Sequence, residues 1–87
     1  MKNFTVQIGS IGDVKNFVNI VGKYDFDIDL ISDRYVVDAK SIMGIFSLDL
    51  TKPIGVQLHT ENADEIIDEL KPFIVWFWAK YGVLKND

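Results

Sequence analysis

Two hydrophobic periods alternate along this chain, and that alternation limits the folds open to it more than any other feature. Apolar and polar side chains alternate in residues 3–8, 26–31 and 54–59, which is the pattern of a half-buried β-strand. Residues 34–39 follow a tight turn at Ser32–Asp33 and form the natural hairpin partner of 26–31. The strands therefore predict a sheet with one apolar and one polar face.

Between the strands, apolar residues recur three and four positions apart, which predicts amphipathic helices. The first helix has its apolar stripe over residues 14–21, with Asp13 as the expected N-cap and Gly22 as the C-terminal stop. A short second helix over residues 42–46 follows Ser41, whose hydroxyl suits an N-cap.

The last predicted helix begins at an Asn62–Glu65 pair that resembles a capping box, and Gly82 is its expected end. Pro72 lies inside this helix and is expected to kink it or to divide it into two pieces. The predicted buried stripe consists of Ile66, Ile67, Leu70, Phe73, Ile74 and Phe77.

The resulting order is β-α-β-β-α-β-α. It predicts the α+β class, as an open-faced sandwich in which three helices cover one face of a four-stranded antiparallel sheet. At 87 residues the chain has room for one small domain, which we expect to span residues 1–87.

The charge balance argues against nucleic acid and anionic membranes as partners. Nine Lys+Arg against thirteen Asp+Glu give a net charge of −4, and the pI is near 4.7. An acidic chain without a basic run is a poor candidate for binding nucleic acid or an anionic membrane. No segment approaches the roughly 20 apolar residues of a membrane span, and the start does not resemble a signal peptide, so we expect a cytoplasmic location.

Metal and thiol chemistry have few candidate residues. The chain has no cysteine, which excludes disulfides, cysteine-ligated metals and thiol catalysis, and a single histidine, which excludes a multi-histidine site within one chain. That histidine, His59, is interpreted as a surface residue, with ligand binding as the alternative. We expect neither a metal nor a cofactor.

Asp25, Asp27 and Asp29 have the spacing of the first ligands in a calcium-binding loop. The positions that such a loop needs as glycine and glutamate are Leu30 and Val36. We therefore interpret the three acids as a solvated strand edge that discourages aggregation.

Residues 73–78, with the sequence FIVWFW, are apolar all round a helix and cannot all face one small core. Two interpretations remain open. Either the core and the tail bury this segment from both sides, or Trp76 and Trp78 belong to a surface for a partner or a second copy.

The segment from Asp38 to Leu48 contains the run AKSIMG at residues 39–44. It resembles the regulatory-serine segment of HPr, the phosphocarrier family of the bacterial sugar phosphotransferase system. The family's element order is also β-α-β-β-α-β-α, and the resemblance extends over residues 3–80. It implies two phosphorylation sites. One is a histidine that opens the first helix and takes phosphate from phosphoenolpyruvate through enzyme I. The other is a serine that opens the second helix and is phosphorylated by an ATP-dependent kinase.

Aligned helix to helix with this family, the chain has Ser10 where the phosphocarrier histidine belongs. Gly12 and Asp13 then replace the neighbouring arginine and proline. A serine phosphoester is too stable to be a good phosphate donor, so carrier activity is not expected unless the alignment around Ser10 is wrong. Loss of the histidine with retention of the serine is similar to the catabolite-repression HPr paralogue of bacilli, a regulatory protein that can dimerise by exchanging its first strand.

The resemblance implies a regulatory protein without enzyme activity. Ser41 would be phosphorylated by an HPr kinase/phosphorylase, and a transcriptional or enzyme partner would dock on Ile42, Met43, Ile45 and Phe46. Two alternatives stay open: Ser41 serves only as an N-cap, or the chain is an interaction or dimerisation module that uses its aromatic tail without phosphorylation.

Overall fold

The computed structural model describes residues 2–75, which form a four-stranded sheet and a layer of helices. The elements follow the predicted order, so the prediction of an α+β sandwich is confirmed. In chain order they are β1 (Lys2–Val6), α1 (Ile11–Val21), β2 (Ile28–Ser32), β3 (Tyr35–Asp38), α2 (Ile42–Phe46), β4 (Ile54–Leu58) and α3 (Asp64–Leu70), followed by a 3₁₀ turn (Lys71–Phe73).

The strands lie in the spatial order β1-β4-β2-β3, and every neighbouring pair is antiparallel. Alternate residues of β1, β2 and β4 are buried, which is the period-2 pattern expected from the sequence. The helices pack on this buried face, with α1 contacting both α2 and α3. Phe17 of α1 is fully buried, and its ring meets the ring of Phe73 edge-on at a centroid distance of 5.8 Å.

The start of α1 differs from the prediction. Ser10, not Asp13, is the N-cap, because the Ser10 Oγ accepts a hydrogen bond from the Asp13 N–H. The N-cap of α3 is Ala63 rather than Asn62, and it makes no side-chain capping bond. The Asn62 N–H instead donates to Thr60 Oγ1 at 3.2 Å.

Pro72 lies just after the end of α3, the last helix in residues 2–75, and does not kink it. The α-helix stops at Leu70, the 3₁₀ turn follows, and Ile74 is extended with φ −74° and ψ 126°. The prediction of one helix that runs unbroken through Ile74 is therefore wrong, since Ile74 forms a β-bridge with Val6. The alternative of a second helical piece is not tested beyond Val75. The predicted end at Gly82 lies outside the described residues.

The two edges of the sheet are not equivalent. On the outer side of β1, the Gln7 N–H donates to the Phe73 carbonyl at 2.8 Å, and the Val75 N–H donates to the Thr5 carbonyl at 3.0 Å. Residues 73–75 thus cover that edge. Strand β3 forms the other edge, and within residues 2–75 no strand pairs with its outer side.

The open face of the sheet is less polar than the alternation predicted. Ile31 and Val36 lie directly opposite each other on β2 and β3, and 36% and 62% of their surfaces are exposed. Among the described helices, none is long and apolar enough to cross a membrane.

Candidate functional site

Two local hydrogen bonds cap the N-terminus of α1. Ser10 is exposed, and its Oγ accepts from the Asp13 N–H at 3.1 Å. The Asp13 carboxylate in turn accepts from the Gly9 N–H through Oδ2, also at 3.1 Å. A negative charge therefore already lies at the positive end of the helix, where it is favourable.

The Asp13 carboxylate opposes a second negative charge at this helix start. A phosphate there would meet that carboxylate, and the N–H groups of Gly9 and Asp13 already have acceptors. The Ser10 hydroxyl also lacks the basic ring nitrogen that phosphoramidate chemistry requires.

The N-terminus of α2 is also capped by a serine but carries no acid in its first turn. Ser41 is exposed, and its Oγ accepts from the Gly44 N–H at 3.2 Å. Its own N–H donates to the Asp38 carbonyl at 3.0 Å, which joins the cap to the end of β3. An ideal Cβ on Gly44 would lie 3.4 Å from both Ser41 Oγ and Val37 Cβ, so glycine leaves space around the hydroxyl.

Lys40, immediately before the cap, is held by two contacts. Its backbone N–H donates to Asp38 Oδ1 at 2.9 Å, and its ammonium group donates to the carbonyl of Tyr24. Lys40 thereby connects the start of α2 to β3 and to the segment that follows α1.

The apolar residues of α2 divide between the core and the surface. Met43 and Phe46 are exposed over 77% and 43% of their surfaces, while Ile42 is half-buried against the core. Ile45 is fully buried, so its predicted place in a docking surface is wrong. The reason is geometric: one residue of this five-residue helix must face the core, and Ile45 does so.

Ile11 was not among the predicted site residues, because it precedes Asp13, the expected N-cap of the first helix. It is the first residue of α1, it is 65% exposed, and α1 packs against α2. The signal that could have identified it is the Ser-x-x-Asp spacing from Ser10 to Asp13, which resembles a capping box and starts the helix earlier.

His59 has a partner that the sequence did not reveal. Its Nε2 lies 2.8 Å from Asp29 Oδ2, and both side chains are about one-third exposed. Asp25 and Asp27 do not join them in a cluster, and within residues 2–75 no group of three or more His, Asp or Glu is placed to hold a metal ion.

A second network joins the end of α1 to α3. Glu69 accepts from the ammonium of Lys23 and from the hydroxyl of Tyr24. The hydrogen bond to Glu69, followed by partial desolvation, raises the pKa of Tyr24 to about 12. The hydrogen bonds from Lys23 and then Tyr24 lower the pKa of Glu69. This network holds Tyr24, whose carbonyl contacts Lys40, in place. The predicted contact residues Trp76 and Trp78 lie outside the described residues.

A family model described as the PTS HPr component phosphorylation site matches residues 14–75. The chain belongs to the HPr family. The matched range includes Ser41 and begins after Ser10 and Gly12.

Solved HPr structures have the same fold. HPr-C-His from Thermoanaerobacter tengcongensis is similar with a TM-score of 0.71 and 26% identity, over 97% of this chain and 99% of that one. The phosphocarrier protein HPr from Bacillus anthracis str. Ames is similar with a TM-score of 0.66 and 25% identity, over 85% of this chain and 96% of that one. A search of curated proteins gave no match. The HPr relationship assigns the chain a fold used in the phosphotransferase system.

Proposed function

We propose that this HPr-family chain is a regulatory protein rather than a phosphocarrier or an enzyme. In this proposal an HPr kinase/phosphorylase phosphorylates Ser41, and a transcriptional or enzyme partner reads the result. The partner contacts Met43 and Phe46 beside the half-buried Ile42. The observation that carries the proposal is the contrast between the two serine-capped helix starts.

The start of α1 argues against carrier activity. Ser10 stands at the N-cap, and Asp13 places a carboxylate within the first turn. Transfer of phosphate to and from this position would need a different nucleophile and would have to overcome repulsion by Asp13.

The start of α2 favours phosphorylation. Ser41 is exposed for a kinase, no acid follows it in the first turn, and Lys40 precedes it. Phosphorylation would add about −1.5 to −2 charge beside Met43 and Phe46, and so would change which protein surfaces can dock there. An Arg-bearing partner would be attracted, since guanidinium and phosphate form strong paired hydrogen bonds.

The test is the intact mass of the protein after incubation with ATP and an HPr kinase. We expect the wild-type chain to gain one phosphate and Ser41→Ala to gain none. Ser47→Ala is the matched control, because Ser47 is an exposed serine at the other end of the same helix, where its hydroxyl donates to the Gly44 carbonyl. It should gain phosphate like the wild type.

A parallel reaction with phosphoenolpyruvate and enzyme I tests the carrier alternative. We expect no acid-labile phosphate on the chain. Acid-labile phosphate in this reaction would overturn the regulatory proposal. If Ser41 stays unmodified in the kinase reaction, the serine serves only as an N-cap, and the result favours an interaction module that works without phosphorylation.

A further inference from the structure

Strand β3 is the edge strand of the sheet, and its outer side has no partner strand within residues 2–75. Its residues Tyr35 and Val36, which point to opposite faces of the sheet, are 65% and 62% exposed. The opposite edge differs, because residues 73–75 already bond to β1. Within the described chain β3 is therefore the edge at which another strand can pair.

The pattern of backbone hydrogen bonds in the β2–β3 hairpin determines which residues of β3 direct their N–H and C=O groups away from β2. Ser32 pairs with Tyr35 across a two-residue turn, and the Ala39 N–H donates to the Ile28 carbonyl at 2.9 Å. Odd-numbered residues of β3 thus direct their backbone groups toward β2, and the even-numbered Val36 and Asp38 direct theirs outward.

We propose that two copies of this chain pair through β3 in antiparallel orientation, with Val36 facing Val36 across a two-fold axis. Val36 is the central outward-facing residue, so two copies can exchange backbone hydrogen bonds there without shifting the register of either hairpin. The result is one continuous eight-stranded sheet built from two four-stranded sheets.

Charge complementarity selects this register. With Val36 opposite Val36, Arg34 of each copy, in the turn that precedes β3, comes opposite Asp38 of the other, so two opposite-charge pairs would flank an apolar centre. Shifting by two residues, so that Val37 meets Val37, would place Asp38 opposite Val36 and leave its charge without a facing arginine. Within one copy Asp38 lies directly opposite Asp29, a like-charge pair that a partner's arginine would offset.

The length of the strand limits the strength of the contact. The carbonyl of Asp38 already accepts from the Ser41 N–H, so pairing cannot extend past that residue. A short edge of this kind predicts a weak, concentration-dependent dimer rather than an obligate one. This inference does not depend on phosphorylation of Ser41.

Sedimentation equilibrium of the full chain is the first measurement. We expect the weight-average mass to rise from 9.9 kDa toward twice that value as the concentration increases, and a chain that stays monomeric would overturn the proposal. Val36→Lys, which places two like charges on the axis, should abolish the rise. Val75→Lys is the matched control at another exposed valine and should keep it; the reverse result would overturn the proposal in favour of contacts through the C-terminal tail.

A charge-swap mixture tests the register. Arg34→Glu and Asp38→Lys each create like-charge pairs in their own dimer, so each variant by itself should be monomeric. Mixed together, they regain both opposite-charge pairs, and the mixture should sediment as a dimer. Equal association of the single variants and the mixture would overturn the pairing, as would a mixture that remains monomeric.

Circular dichroism of each variant checks the fold, since the Asp38 carboxylate also accepts a hydrogen bond from the Lys40 N–H. If Asp38→Lys fails this check, Val36→Pro tests the edge contact instead, because the outward N–H of Val36 is not bonded to β2 and its loss should abolish the dimer.

Discussion

Ser10 and Asp13 are joined across the first turn of α1 by a hydrogen bond from the Asp13 N–H to the Ser10 Oγ, 3.1 Å long. The same aspartate accepts from Gly9, so the helix start is stabilised from both sides. At the equivalent position of α2, Ser41 caps without an acid in the first turn. Two serines with the same capping role thus differ in whether a carboxylate follows them in the first turn.

We expect Ser10→Ala to destabilise the protein by about 1 kcal/mol, because an N-cap hydrogen bond is lost at the start of a packed helix. Urea unfolding measures the change. Ser10→Asn keeps a capping oxygen and should restore most of the loss. A value for Ser10→Ala within error of the wild type would show that the cap is not needed to hold α1.

Substitutions at Ile45 and Met43 should separate stability from docking. Ile45→Ala empties a fully buried site and should cost about 2–5 kcal/mol of unfolding free energy. Met43→Ala, at a side chain that is 77% exposed, should change stability by less than about 0.5 kcal/mol and weaken partner binding. Equal loss of stability for the two variants would contradict the assignment of Met43 to the surface.

The Tyr24–Glu69 hydrogen bond should be visible in a titration. Glu69→Gln removes the charge that is paired with the hydroxyl, so the pKa of Tyr24 should fall from about 12 toward its ordinary value of 10. NMR of the tyrosine ring carbons measures it. Asp68→Asn is the matched control on α3, since Asp68 pairs with Lys71 instead, and it should leave the pKa of Tyr24 unchanged.

The same network predicts how stability changes with pH. The pKa of Glu69 is lowered in the folded state, so its stabilising contribution is present above the unfolded value near 4.3 and is lost as the pH falls through the folded value. The pKa of Tyr24 is raised, so its contribution is present below about 10 and is lost as the pH rises toward 12. Urea unfolding at several pH values should show both losses in the wild type and smaller ones in Glu69→Ala.

Gly44→Ala tests the space beside the proposed phosphorylation site. Alanine favours the helix by about 0.5–1 kcal/mol over glycine, and the added Cβ makes ordinary contacts at 3.4 Å, so we expect equal or greater stability. That methyl group lies beside Ser41 Oγ and should slow phosphorylation. Unchanged kinase rates would show that the hydroxyl leaves its capping position before it reacts.

The element order could be read from the sequence because periods of 2 and 3.6 residues differ clearly in β1, α1 and β4. The start of α1 could not, because Asp13 was expected to be the N-cap, whereas Ser10, three residues earlier, caps the helix and the Asp13 carboxylate accepts from the Gly9 N–H. The end of α3 was uncertain for another reason: a proline can kink a helix or end it, and here the bonds from residues 73–75 to β1 accompany its end.

The candidate site was only partly predictable. Four of the five residues in α2 are apolar, so periodicity could not tell which of Met43 and Ile45 is buried. The contacts of Glu69 with Lys23 and Tyr24 join residues 46 and 45 positions apart, and that of His59 with Asp29 joins residues 30 positions apart. Such pairs depend on how the strands and helices are arranged in space, which local patterns do not specify.

The turn at Pro72 has a consequence for how copies of this chain can assemble. Where α3 ends, residues 73–75 lie along β1, and their hydrogen bonds to it prevent another strand from pairing with that edge. A sheet with both sides open can add copies without limit and grow into a fibre. With β3 as the open edge of the sheet that residues 2–75 form, the proposed pairing would join each molecule to one other and stop at a closed dimer.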